Sequence, residues 1–304
     1  MNMQSNKPRL SAMLGQVASI ASVRATSLGI TRLDKEASKE ADRMHNAKPG
    51  TGKVRASRIA GAEHRVGEMA DIATECRNKL NEMTTAWGTG QRLLTNQLLK
   101  EWLEFFAPRQ AQFKTLRERF IQDAPAIIAD AEMNKGTYNV APPTMHEIQQ
   151  AFSLEFDIQQ IPDSETFKSN SLSAELEAEM RRHFEASIEA AYTRAMNDAF
   201  KRVAKPLSNL VERLTEYSRV EEEQARGLDI KSTRLYETVI TNIVDIADVF
   251  GNFNLTGDVL MDRVNKSLDD FRNIDIDDLK RDKGLRDNLT KKAQAILSDI
   301  ADLI

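Results

Sequence analysis

Apolar residues recur along this chain mostly at helical spacing. Val66, Met69, Ala73, Cys76, Leu80 and Met83 follow one another at intervals of three and four. That alternation places them on one stripe of a helix, as in a coiled-coil seam. The run is shorter than three heptads, so it predicts an intramolecular helical hairpin. A second helix carries Leu98, Leu99, Trp102, Phe105 and Phe106 and runs on through Phe113, Leu116, Phe120 and Ile121. Thr95 is placed to cap it. Pro108 and Pro125 lack a backbone donor, so kinks or breaks are expected at both. An aromatic stripe can stack on bases, but at helical spacing it reads as core.

The longest element shows a period of four. Leu172, Leu176, Met180, Phe184, Ile188, Tyr192, Met196 and Phe200 lead into Val203, Leu207, Leu210, Leu214 and Tyr217. A four-residue period drifts around a 3.6-residue helix, so the stripe should wind past different neighbours. Such a helix spans roughly 60 Å or more, with Pro206 interrupting it and a charged break at residues 220–232 around Gly227. Helices over 233–250, 257–271 and 285–303 close the chain.

Two stretches depart from this pattern. Phe152, Leu154, Phe156 and Ile158 alternate strictly with polar residues, which predicts a strand. A strand needs a partner, and residues 17–30, VASIASVRATSLGI, are the best candidate, although they also read as a poor helix. A short charged helix follows over 34–45, with Asp34 as N-cap. Thr144 caps another over MHEIQQA, after the loop 137–144. The segment TTAWGTGQRLL reads as a turn between helices, with Trp87, Gly88, Gly90 and Arg92 as its structural residues. The expected fold is mainly α: an elongated helical bundle with long kinked helices and a small two- or three-stranded β element. The expected domains are a basic arm over 1–60, a long-helix body over 61–222 with its strand near 152–160, and a helical subdomain over 223–304. Residues 1–9 read as a disordered tail.

Charge changes this picture in one place. The net charge is -4, yet residues 1–65 hold 12 Lys and Arg against 5 Asp and Glu. A basic arm on an acidic body points to nucleic acid, to an acidic partner, or to attraction between the two halves or between copies. Cys76 is the single cysteine, which excludes an internal disulfide and fits a reducing compartment. The opening MNMQSNKPRLSAMLGQ has no signal-peptide core, and no apolar run reaches transmembrane length. A soluble cytoplasmic protein, not a membrane protein, is expected.

Inside the arm lies HNAKPGTGKVRAS, residues 45–57, with a Gly-Lys pair that resembles a phosphate loop. A Walker A motif needs Gly five residues before that pair and Ser or Thr after it. Here Ala47 and Val54 stand there. The backbone of Gly50 to Gly52 could still cradle an anion as a nest. The simpler reading is a flexible basic loop, with Lys48, Lys53, Arg55 and Arg58 as residues for nucleic acid or an acidic partner. Residues 273–284 are acidic, but Asp278 and Gly284 fall where a calcium loop needs Gly and Glu. His45, His64, His146 and His183 are scattered without metal spacing. No catalytic motif, metal or cofactor is expected.

The order of Gly29–Glu40, WGTGQRLL at 87–94, VAPPT at 140–144, FSLEFDIQQIPDSETF at 152–167 and AMNDAFKRV at 195–203 resembles a family of uncharacterised phage helical proteins. Relatives often carry Pro-Trp-Asp where this chain has Ala86, Trp87 and Gly88. The resemblance covers most of the chain and brings no catalytic residues. It implies a phage accessory protein acting through protein contact on host machinery or in phage DNA metabolism. Looser relatives encoded beside MoxR-type AAA+ ATPases and a von Willebrand A-like protein imply an adaptor role. The expected partner is a host or phage protein; nucleic acid and a second copy of the chain are the alternatives.

Overall fold

The computed structural model describes residues 9–166, 168, 173–229 and 233–304. The expected tail at 1–9, apart from Arg9, lies outside them, as do Phe167 and Leu172. In chain order come α1 (Leu10–Val17), β1 (Ala18–Thr26), β2 (Thr31–Leu33), α2 (Lys35–Met44), β3 (Arg55–Ser57) and α3 (Glu63–Met83). Then follow β4 (Thr85–Gly88), β5 (Gln91–Thr95), α4 (Asn96–Asn134), α5 (Met145–Ala151) and β6 (Ser153–Gln160). The remainder is helical: α6 (Ala174–Ala225), α7 (Thr238–Phe250), α8 (Val259–Leu268), α9 (Ile276–Arg281) and α10 (Lys283–Asp299).

The fold is mostly helical, as the periodicity predicts, but its β element is larger than expected. A four-stranded antiparallel sheet has the order β4-β5-β1-β6, and β2 pairs with β3 in a separate two-stranded sheet. The predicted neighbours β1 and β6 are adjacent. The segment read as a turn between helices is instead the hairpin β4–β5, with Ala18–Ala21 of β1 paired to Arg92–Thr95. Thr95 precedes α4, yet its buried hydroxyl makes no capping bond. Of the kinks or breaks expected at proline, the breaks do not occur: α4 continues through Pro108 and Pro125, and α6 through Pro206.

The chain divides into two compact units, which differ from the three consecutive segments read from the sequence. One comprises residues 1–21, 81–99 and 158–304; the other comprises 22–80 and 100–157. In the first, α6 supplies Phe200, Val203, Leu207, Leu210 and Leu214 to a core shared with α7, α8 and α10. A second cluster joins Leu14, Trp87, Leu93, Ile161 and Ile188. Arg286 is buried here, bonded to the carbonyls of Leu279 and Lys280, to Ser218 and to Glu221.

In the second unit the predicted stripe of α3 is buried from Val66 to Leu80, and Met83, which belongs to the first unit, is buried as well. Its partner is α4, which runs antiparallel to it: Arg65 pairs with Asp123, Glu75 with Arg109 and Lys79 with Glu101. Trp102 stacks on Phe106 at 5.4 Å, and Phe156 packs against both rings.

The period-four line of α6 has unequal ends. Leu207 is fully buried, whereas Leu176 is 42% exposed. Leu207→Ala should destabilise the protein by about 2–5 kcal/mol, and Leu176→Ala by under about 0.5 kcal/mol. Urea unfolding of dilute protein checks this; similar losses from both would contradict the core assigned to α6.

Candidate functional site

The basic loop is built by a polar stripe on α2. Asp34, Ser38 and Asp42 lie four residues apart, hence on one helix face, and all three are buried. Asp34 caps the helix, accepting from the Glu36 and Ala37 N–H groups at 2.9 and 3.0 Å. Its second oxygen accepts from the Asn139 N–H at 2.6 Å. Ser38 Oγ accepts from the Val54 N–H at 3.0 Å, while the Val54 carbonyl accepts from the Asp34 N–H at 3.0 Å.

Asp42 does most to shape the loop. Its two carboxylate oxygens accept from the Gly50 and Gly52 N–H groups, each at 2.6 Å, and its carbonyl accepts from the Ala47 N–H at 2.8 Å. The sequence Lys-Pro-Gly-Thr at 48–51 closes with the Thr51 N–H on the Lys48 carbonyl at 3.1 Å. Pro49 in second place and Gly50 at φ +88° form the pattern of a type II turn. A Cβ at position 52 would sit 3.0 Å from Asp42 Oδ1. The anion in the glycine cradle is thus the chain's own carboxylate. The loop's backbone is bonded to α2 at Gly50, Gly52 and Val54.

The four predicted basic residues separate. Lys48 and Lys53 are exposed on the loop, and Arg55 is exposed on β3 with its guanidinium over Thr31. Arg32, on the neighbouring strand β2, is also exposed. Arg58 is buried instead. It donates to both Glu147 carboxylate oxygens at 3.0 Å and to the carbonyls of Gly29, Ala141 and Pro142. A guanidinium buried at 6% exposure and engaged by these acceptors is not presented to a phosphate, so Arg58 serves the structure. Glu147 also completes the capping box with Thr144.

The residues of the WGTGQRLL stretch meet a second motif segment. Gly90 turns the β4–β5 hairpin at φ +70°, after Gly88 pairs with Gln91. Trp87 is buried, and its carbonyl accepts from Arg194. Arg92 donates to the Thr84 hydroxyl, the Thr84 and Asn81 carbonyls, and Asp198. Asp198 also accepts from the Ala86 N–H at 2.9 Å and pairs with Arg202 at 3.0 Å. Burial, with Arg202 nearby and against the pull of Asp198, lowers the Arg92 pKa to about 10, so it stays charged at neutral pH. These contacts fasten a hairpin to α6.

Burial pushes the Cys76 thiol up to about 11, which suits a seam residue rather than a nucleophile. Among the described residues, no three His, Cys, Asp or Glu side chains gather so as to hold a metal, and no helix is long and apolar enough to cross a membrane. The support of the loop has a signal in the sequence, in the four-residue spacing of Asp34, Ser38 and Asp42 and in the Lys-Pro-Gly-Thr turn. No protein-family model, curated protein or solved structure matches the chain.

Two predictions follow from the loop. Asp42→Ala leaves two N–H groups without their acceptor, a loss of about 1–3 kcal/mol. Hydrogen exchange at Gly50 and Gly52 should then quicken by roughly tenfold or more, with Lys48 and Lys53 untouched; unchanged rates would refute the clamp. The second concerns acid. The Ala37, Asn139 and Glu36 N–H groups hold the Asp34 carboxyl below its usual range, against burial. The Thr144 N–H and then Arg58 do the same for Glu147. Both folded values lie below the unfolded ones, so their contribution is complete above about pH 4.3. It is lost as pH falls through the lowered folded values. Protection factors at Ala37, Asn139 and Thr144 should hold at pH 5 to 7 and collapse together only below about pH 4.

Proposed function

We propose that this protein works without catalysis, by contact, and that Lys48, Lys53 and Arg55 engage the acidic surface of a protein partner. The observation that carries this reading is the clamped loop: three exposed cations on a backbone held by Asp42 and Ser38. Fixing the backbone in advance lowers the ordering cost of binding, and surface cations of this kind steer an acidic partner. The phage setting implied by the resemblance makes the protein an accessory factor in the host cytoplasm, acting on host machinery or in phage DNA metabolism. An adaptor for an AAA+ ATPase is the narrower form. Nucleic acid is the second reading, favoured by Arg32 and Arg55, exposed on neighbouring strands beside the loop.

The triple variant Lys48→Glu/Lys53→Glu/Arg55→Glu tests both. A protein captured from host lysate by the wild type should be lost with the variant, and its binding should weaken steeply with salt. A gel shift of DNA or RNA at about 50 mM salt, abolished by the same variant, would select nucleic acid instead. If the variant retains its capture and no nucleic acid shifts, the loop is not the contact site.

A further inference from the structure

The four-stranded sheet ends at β6. Residues 22–26 of β1 and 153–157 of β6 lie in the same unit as most of α3 and α4. Strands pair about 4.8 Å apart, whereas helices pack at about 8–10 Å. Two strands over two helices therefore leave a shelf of helix on either side. Between β1 and α3 the shelf is a cleft of about 100 Å³, and Arg77 reaches across to the Ala25 carbonyl at 3.3 Å. Between β6 and α4 it is a cleft of about 460 Å³, a size that suits a ligand.

Helix α4 runs beneath β6. Phe156 packs on Trp102 and Phe106, and Phe152 meets Phe120 edge-on at 5.3 Å. The cleft is walled by Ala107, Gln110, Ala111 and Lys114, which share one helix face by their spacing. The opposite flank of α4 faces α3 through Glu101, Arg109 and Asp123, so the cleft lies beyond β6. The two alanines keep it open, and buried Phe113, Phe152 and Leu154 floor it. Gln110 donates its side-chain N–H to the Leu154 carbonyl at 3.1 Å. That carbonyl thus points away from β1. Backbone groups along a strand alternate between its two edges, so the Phe156 N–H and carbonyl point outward as well. Among the described residues, no loop or side chain bonds them.

An open edge of this kind is a template for another extended backbone. A second copy fits poorly, because its β6 would bring its own α4. Two helices lying beneath neighbouring strands cannot close to strand spacing. A single extended segment carries no helix. Charge narrows it further. Lys114 has its paired carboxylate, Glu118, only at 4.0 Å, and Arg117 is a second cation at the cleft. Glu155 is directed to the other face of the strand from Leu154. We propose that an extended peptide segment of a partner protein, bearing an acidic residue, binds this cleft and pairs with β6 as a fifth strand. Its alternate side chains rest on Ala107 and Ala111, and its carboxylate meets Lys114. The Gln110 carboxamide occupies the place of one of its N–H groups.

Panning a library of random peptides of about eight residues on the full chain, followed by fluorescence anisotropy of the selected peptides, tests this. The peptides should carry Asp or Glu. N-methylation at alternate positions should weaken binding more than tenfold, with little effect at the positions between. Bound peptide should slow hydrogen exchange at the Phe156 N–H. Ala107→Trp/Ala111→Trp fills the cleft from exposed positions, so it should abolish binding with circular dichroism unchanged, and Lys114→Glu should weaken it severalfold. The loop variant Lys48→Glu/Lys53→Glu/Arg55→Glu should bind the peptide like the wild type, which separates this site from the basic loop. A library that yields no binder overturns the proposal. So does a peptide whose methylation shows no two-residue period, or one that Ala107→Trp/Ala111→Trp still binds. A wild type that dimerises, and loses its dimer in Ala107→Trp/Ala111→Trp, would overturn it by assigning the edge to a second copy.

Discussion

A charge removed from water has to be answered by partners, and in this protein the partners are largely backbone groups of loops and of the last turns of helices. Asp42 takes two N–H groups of the 46–54 loop, and Asp34 takes one from Asn139. Arg58 takes the carbonyls of Gly29, Ala141 and Pro142, and Arg92 those of Asn81 and Thr84. Arg286 takes those of Leu279 and Lys280. Loops, and the last carbonyls of a helix, lack the ladders that satisfy the backbone elsewhere. Here a buried charge on a neighbouring element stands in for the ladder. The exchange is mutual, because the same contacts that satisfy the loop neutralise the side chain.

This explains which parts of the molecule were legible in the sequence. Helices announce themselves through periods that any local window contains, and the stripe of α3 is core along its whole length. The alternation at 152–158 and the β-branched run at 17–30 likewise mark adjacent strands. The hairpin at 85–95 was hidden because its strands are four and five residues long and its glycines also suit a helix end. Arg55 and Arg58 look equivalent in the sequence and differ completely in the fold. What separates them is Glu147, 89 residues further on. No local pattern carries that information. The exposed start of α6 shows the opposite limit: periodicity tells which face is apolar, but not where the neighbour that covers it ends.

The motif segments acquire a physical meaning from the same contacts. The Asp34 to Glu40 stretch reaches the loop that precedes α5 through Asn139, and the hairpin reaches AMNDAFKRV through Asp198. Each joins pieces of chain about a hundred residues apart. Residues of this kind read as functional in a sequence because they are polar and specific. Their work here is attachment. The exposed cations beside them are left for binding, and the two roles alternate within one short basic segment.

The division of the chain into units has a consequence for its synthesis. The unit of residues 22–80 and 100–157 is complete once residue 157 has been made. The other unit includes residues 1–21 but draws most of its core from α6 to α10, which emerge last. On the ribosome the inner unit can therefore fold first. Leu14 and Ala18 have Trp87 and Leu93 beside them early, but their cluster is closed only by Ile188, Ala191 and Ala195 of a helix made more than 150 residues later. The protein is translated from one end and completed from the middle outward.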